Sequence, residues 1–248
     1  MLENQIKPGP AQKNGISKWL WWAIGGGCVL LLCIISVVIL VLAVLGPNIG
    51  KTFSTINTGL NTPVVNAPNS NQSIQTKGNS MGDPNAPVKL VEYADFQCPY
   101  CLRYWQQTEK QIIQTYVVTG KVYYEYRSVG AFIGPESAAA AEAAYCAGDQ
   151  GKFWEYHDAL YSHWTGENVG DFSTDNLHQY AVSVGLDTKT FDDCFSQGEY
   201  KGQVMQDASD AKSDGIRATP SFLINGQLFE GAQPFAAFQK VIDAALGN

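Results

Sequence analysis

Histidine and methionine are scarce in this chain, three of each, and cysteine numbers only six. His157, His163 and His178 stand far apart and there is one CxxC, so the paired ligands of a structural zinc site are missing. No methionine or histidine cluster lies beside that CxxC to complete a soft copper site. Positive charge is short as well. From residue 52 onward, 12 lysines and arginines face 22 acidic residues, which argues against nucleic acid, whose phosphates need a basic face. The acidic balance identifies no partner of its own, because an acidic surface is usually just a soluble one. Nothing in the pattern supplies an obvious dimerisation domain.

Charge is absent altogether from "WLWWAIGGGCVLLLCIISVVILVLAVLG", residues 19–46. A helix rising about 1.5 Å per residue needs roughly 20 residues to cross the hydrocarbon core, so this stretch is expected to be a transmembrane helix. It is too long for a signal-peptide core, Pro47 follows the small residue where cleavage would fall, and neither Cys28 nor Cys33 sits in a lipoprotein box. Lys7, Lys13 and Lys18 precede it and only Lys51 lies close after it. The positive-inside rule therefore puts residues 1–18 in the cytoplasm and the remainder outside, in the periplasm or at the cell exterior. Residues 47–85 are rich in Asn, Ser, Thr, Gly and Pro and are expected to form a flexible linker.

Residues 86–248 read as one α/β domain. "VKLVEYAD" is a short strand with apolar residues on both faces, "PYCLRYWQQTEKQIIQTYVVTG" has helical spacing through Leu102, Trp105, Ile112 and Tyr116, and "KVYYEYRSV" is a second strand. Residues 134–215 turn helical. "SFLI" and "QLFEG" flank an Asn225–Gly226 turn, and "PFAAFQKVIDAAL" closes the chain as a helix. The strand–helix–strand opening implies a parallel crossover and the final hairpin adds antiparallel strands. A mixed sheet flanked by helices follows.

"DFQCPYC" lies at the junction of the first strand and its helix. A structural disulfide there would close too short a loop to constrain the unfolded chain. Dithiol–disulfide exchange suits the position better. Cys98 would cap the helix that opens with Pro99, where unpaired N–H groups and the helix dipole favour a thiolate. Cys101, one turn on, would be the more buried resolving thiol. A low thiol pKa makes Cys98 both a ready nucleophile and a good leaving group.

Three separated motifs, "GDPNAPVKLVEYADFQCPYC", "AAAAEAAYCAGDQGKFWEYHDALY" and "GIRATPSFLINGQLFEGAQPFAAFQKVIDAAL", resemble the DsbA-like branch of the thioredoxin superfamily over about residues 81–247. The resemblance implies a thioredoxin fold with an inserted helical domain and an enzyme that exchanges disulfides in exported proteins without metal or cofactor. It implies that Thr219 and Pro220 form the cis-proline loop facing the cysteines. Glu92 becomes the buried acid that takes a proton from the resolving thiol, and Pro99 and Tyr100 the dipeptide that helps set redox potential. Cys146 and Cys194 match a second pair that some relatives carry, either a structural disulfide or two buried free thiols. A membrane quinone-linked reoxidase is implied as partner. Two positions depart from the best-known members: the dipeptide is Pro–Tyr rather than Pro–His, and Thr219 replaces Val. Losing the histidine removes one stabiliser of the thiolate, so a milder oxidant, an isomerase or a reductase stays open, with a non-catalytic tethered binding or chaperone module as the alternative of a different class.

Overall fold

The computed structural model describes residues 74–130 and 132–247. The expected transmembrane helix and most of the linker lie outside the described residues. Among the described residues no helix is long and apolar enough to cross a membrane.

Among the described residues six strands build one mixed sheet. β1 (Thr76–Lys77) and β2 (Ser80–Met81) form a minimal hairpin, β3 (Val88–Ala94) and β4 (Val122–Ser128) are the long central strands, and β5 (Ser221–Ile224) and β6 (Gln227–Glu230) form the closing hairpin. The spatial order is β1-β2-β4-β3-β5-β6. β3 and β4 run parallel, and the other neighbouring pairs are antiparallel. The β5–β6 turn is as its sequence predicts: Asn225 and Gly226 take φ of 49° and 79°, the left-handed pair that a two-residue hairpin requires.

The folded part begins earlier than expected. Residues 76–81, assigned to the linker on their polarity, pair in the sheet, with β2 against β4 at Ser80↔Glu125 and Met81↔Tyr124. Asn79 secures the turn by donating its side-chain amide to the Tyr126 carbonyl at 2.6 Å, and Met81 is buried in the core. Composition missed this because backbone pairing with a distant strand holds the segment. Gly82, which leaves β2, has φ +96°, and a Cβ there would stand 2.7 Å from the Val122 carbonyl oxygen, so only glycine fits.

Between β3 and β4 the chain forms α1 (Pro99–Tyr104), which continues without a break through π-helical turns at Trp105–Glu109 and Ile113–Val117 around a short α turn. The π turns rotate the inward face. Cys101, Tyr104, Thr108, Glu109, Ile112 and Tyr116 are buried, whereas Leu102 and Trp105, which a uniform α period turns inward, are only partly so. The helical region after β4 comprises α2 (Pro135–Asp149), α3 (Phe153–His163), α4 (Thr174–Ser183), α5 (Thr188–Gln197) and α6 (Lys201–Ser213), and α7 (Phe235–Ala245) closes the fold.

One face of the sheet carries Val88, Leu90, Glu92, Val122, Tyr124, Tyr126 and Phe222, all buried. α1, α3 and α7 contribute Tyr104, Trp154, His157, Phe238 and Ile242 to the same core cluster or its aromatic lining. At about 25 cal/mol per Å² of buried apolar surface, rings of this size dominate core stability. A smaller cluster of Tyr93, Val129, Ala211 and Ile216 packs on the other face.

Candidate active site

β3 ends at Ala94, and Asp95 turns the chain. Its Oδ1 accepts from the Gln97 N–H at 2.8 Å and the Ser137 hydroxyl at 2.7 Å, while its carbonyl accepts from Cys98 N–H at 3.0 Å. This Asx turn fixes where the next residues point. Gln97 extends the network into the helical region, donating to Ser137 Oγ at 2.9 Å and accepting from the Asn168 N–H at 2.5 Å. Sequence reasoning passed over Asp95 and Gln97, although an Asp two residues before a buried amide at a strand end is a readable turn signal.

Cys98 is the N-cap of α1, with extended φ −78° and ψ 121°, and Pro99 begins the helix. Proline suits that place because its missing N–H has no partner there in any helix. Across from Cys98 the Thr219–Pro220 peptide is cis, and the Thr219 carbonyl oxygen lies 3.4 Å from Cys98 Sγ. The Cys101 thiol, the Thr219 hydroxyl and the N–H groups of Cys101 and Tyr100 converge on Cys98, in that order of effect. Against the opposing pull of burial they bring its pKa down to about 6. Cys101, completely buried, is pushed well above the ordinary thiol range, first by burial and then by its bond to Cys98. The two sulfurs are chemically unequal: one is a thiolate at neutral pH and the other a thiol.

Glu92 faces inward from the middle of β3, two residues from Leu90 on the same face, and is 2% exposed. Burial pushes its carboxyl up to about 8, the Tyr124 hydroxyl that donates to it works against the rise, and charge on Cys98 adds to it. It is therefore protonated at neutral pH and poised to trade that proton near neutrality. Tyr124 in turn lies 3.3 Å, oxygen to oxygen, from Tyr104 of α1.

β3, α1 and the loop before β5 thus bring Glu92, Cys98, Cys101, Thr219 and Pro220 to one place. Tyr100 stands at the rim, 57% exposed, with the Arg103 guanidinium 5.0 Å from its ring centroid. Cys146 on α2 and Cys194 on α5 are elsewhere, joined in a disulfide with Cα atoms 5.9 Å apart. Among the described residues the one cluster of metal-ligating type, Asp149, Cys194 and Glu199, includes a sulfur already committed to that disulfide. Cys98 and Cys101 are the free cysteines among the described residues.

The chain is similar to several known proteins. The family model described as Thioredoxin matches residues 75–244. A protein of Bacillus anthracis termed "Probable disulfide bond formation protein D" is 34% identical over 175 residues, covering 67% of this chain and 77% of that one. The crystal structure of oxidised BdbD from Bacillus subtilis superposes with a TM-score of 0.64 at 22% identity, covering 69% of this chain and 94% of that one, a likeness of fold. "Na(+)/H(+) antiporter NhaA 3" of Salinispora tropica is 33% identical over 168 residues, 67% of this chain. This chain spans only 24% of that antiporter's length.

Proposed function

This chain belongs to the thioredoxin family, in its DsbA-like branch, and from that premise we propose that it is a membrane-tethered, extracytoplasmic thiol–disulfide oxidoreductase that forms disulfides in exported proteins. One observation carries the reading: a CxxC at the start of a helix, its first sulfur 3.4 Å from the carbonyl oxygen of a cis Thr219–Pro220 peptide and its second completely buried.

The chemistry follows from the inequality of the two sulfurs. In the oxidised pair a substrate thiolate attacks Cys98 Sγ, the S–S bond breaks, and the Cys101 sulfur leaves and takes a proton from Glu92. A second substrate thiolate then attacks its partner sulfur in the mixed disulfide. The substrate disulfide forms, two electrons remain on the enzyme, and Cys98 departs as a thiolate. Its lowered pKa favours this departure. The Thr219–Pro220 loop presents a backbone carbonyl beside Cys98, where a substrate polypeptide would lie. Stabilising the Cys98 thiolate stabilises the reduced form, which raises the reduction potential and makes the pair an oxidant. A membrane quinone-linked partner would remove the electrons and restore the disulfide. The uncharged stretch 19–46 supports tethering, and the basic residues before it support an outside location for the domain.

Oxidative refolding of a reduced, disulfide-containing substrate tests the assignment. Cys98→Ala is expected to reduce turnover to the uncatalysed background, and Cys101→Ala to accumulate enzyme–substrate mixed disulfides at Cys98. Wild-type turnover by Cys98→Ala would refute the mechanism. Wild-type protein that reduces substrate disulfides but does not form them would replace the oxidase by a reductase using the same residues.

A further inference from the structure

A second buried carboxyl lies near enough to Glu92 to feel its charge. Glu109 is 3% exposed and His157 1%. Glu109 Oε1 stands 4.0 Å from His157 Nε2, and neither that nitrogen nor Glu109 Oε2 has a hydrogen-bond partner among the described residues. Burying polar atoms unpaired is costly, and packing alone would place apolar residues at both positions. The backbone adds an independent sign. Glu109 closes the π-helical turn Trp105–Glu109, and such turns occur frequently at functional positions.

Glu109 also sits between two things a proton needs. On one side is the hydroxyl chain from Glu92 to Tyr124 and on to Tyr104, and Glu109 is near enough that its charge opposes ionisation of both tyrosines. On the other side it lines a cavity of about 510 Å³ with Met81, Trp105, Lys110, Trp154 and Asp158, none of them in the cysteine loop. Asp158 accepts from Trp105 Nε1 at 2.8 Å and lies 3.1 Å from His157 Nδ1, and its side chain is 64% exposed. The ionisable groups around Glu109 are therefore Glu92 of β3, Tyr124 of β4, Tyr104 and Lys110 of its own helix, and His157 and Asp158 of α3.

We propose that Glu109 exchanges the Glu92 proton with solvent through this cavity, so that Cys101 is protonated without opening the substrate-facing side. Glu109 acts through Glu92 and touches neither sulfur. When a dithiol reduces the Cys98–Cys101 bond, two electrons enter the pair and the dithiol becomes a disulfide, releasing two protons. Cys98 ends as thiolate, and Cys101 receives one proton from Glu92. Glu109 returns a proton to Glu92 along the Tyr104 and Tyr124 hydroxyls, each giving one as it accepts another, and is itself reprotonated from the cavity. The net result is one proton kept on Cys101 and one left in solution. The inference rests on the exchange reading of Cys98 and Cys101.

The test is stopped-flow reduction of the oxidised full chain by dithiothreitol across the neutral pH range, followed by tryptophan fluorescence. Glu109→Gln is expected to slow reduction roughly tenfold, less than the ~100-fold typical of a group in direct contact with the reacting atom, and to flatten its pH dependence. Glu109→Asp should recover part of the rate, and Glu92→Gln with Glu109→Gln should be no slower than Glu92→Gln alone. A wild-type rate and pH profile for Glu109→Gln, multiplied effects in the double variant, or equal slowing by Gln and Asp would overturn the proposal. An infrared difference spectrum of wild type, reduced minus oxidised, keeps the question open to decision if Glu109→Gln does not fold: carboxyl bands beyond those lost in Glu92→Gln support it, and their absence refutes it. Wild-type protein that dithiothreitol does not reduce would instead sink the exchange reading itself.

Discussion

The two cysteine pairs within the folded domain use the same residue for opposite ends. Cys146 and Cys194 lie 48 residues apart on two packed helices and are bridged. Cys98 and Cys101 lie at a strand-to-helix junction and are free thiols in this structure. A cross-link over a long loop removes much conformational freedom from the unfolded chain, whereas one over two residues removes almost none. The first therefore holds a fold together, while the second opens and closes without threatening it. Environment completes the contrast. Opposite pKa shifts at Cys98 and Cys101 make one sulfur attack and leave readily and keep the other protonated.

The largest effect that would sharpen this contrast is on stability. Replacing Cys146 and Cys194 together by Ala should destabilise the domain by about 4 kcal/mol on the chain-entropy estimate, read from denaturant unfolding, while the potential of Cys98–Cys101 stays unchanged. A shifted potential would mean that the two pairs are coupled.

A smaller, pH-dependent effect belongs to Glu92. Its folded pKa of about 8 lies above the ordinary carboxyl value, so stability falls as pH rises between the two and the full penalty is present above the folded value. Glu92→Gln should then unfold like wild type in acid but be more stable than wild type in mild alkali. Equal stability at both ends would mean Glu92 is not held neutral. Smallest is Thr219→Val, which removes one hydroxyl donor from the Cys98 thiolate. Its thiol pKa should rise by about one unit or less, measured by alkylation rate against pH, and the Cys146–Cys194 bridge should not respond.

Much of this was readable in the residues. The resemblance to the DsbA-like branch already made Glu92 a buried acid, and Cys98 ahead of Pro99 already marks a helix cap. The Asn225–Gly226 hairpin is a purely local signal and formed where expected. The parts that escaped depend on distant partners or on departures from a regular period. Residues 76–81 look like linker until β4 pairs with them. Glu109 lies at helical spacing between Trp105 and Ile112, but a lone carboxyl there gives no sign in sequence that it is buried. His157, a lone histidine in an aromatic-rich helix, shows only its neighbour Asp158 in sequence, because Glu109 comes within 4.0 Å of it from another element.

Residue-resolved alkylation of the reduced full chain against pH, with each cysteine mapped by mass spectrometry, tests the inequality of the two sulfurs most directly. Cys98 should titrate with a pKa of about 6, and Cys101 should remain a thiol through the ordinary range. Both cysteines titrating together near the unperturbed thiol value of about 8.5 would contradict it.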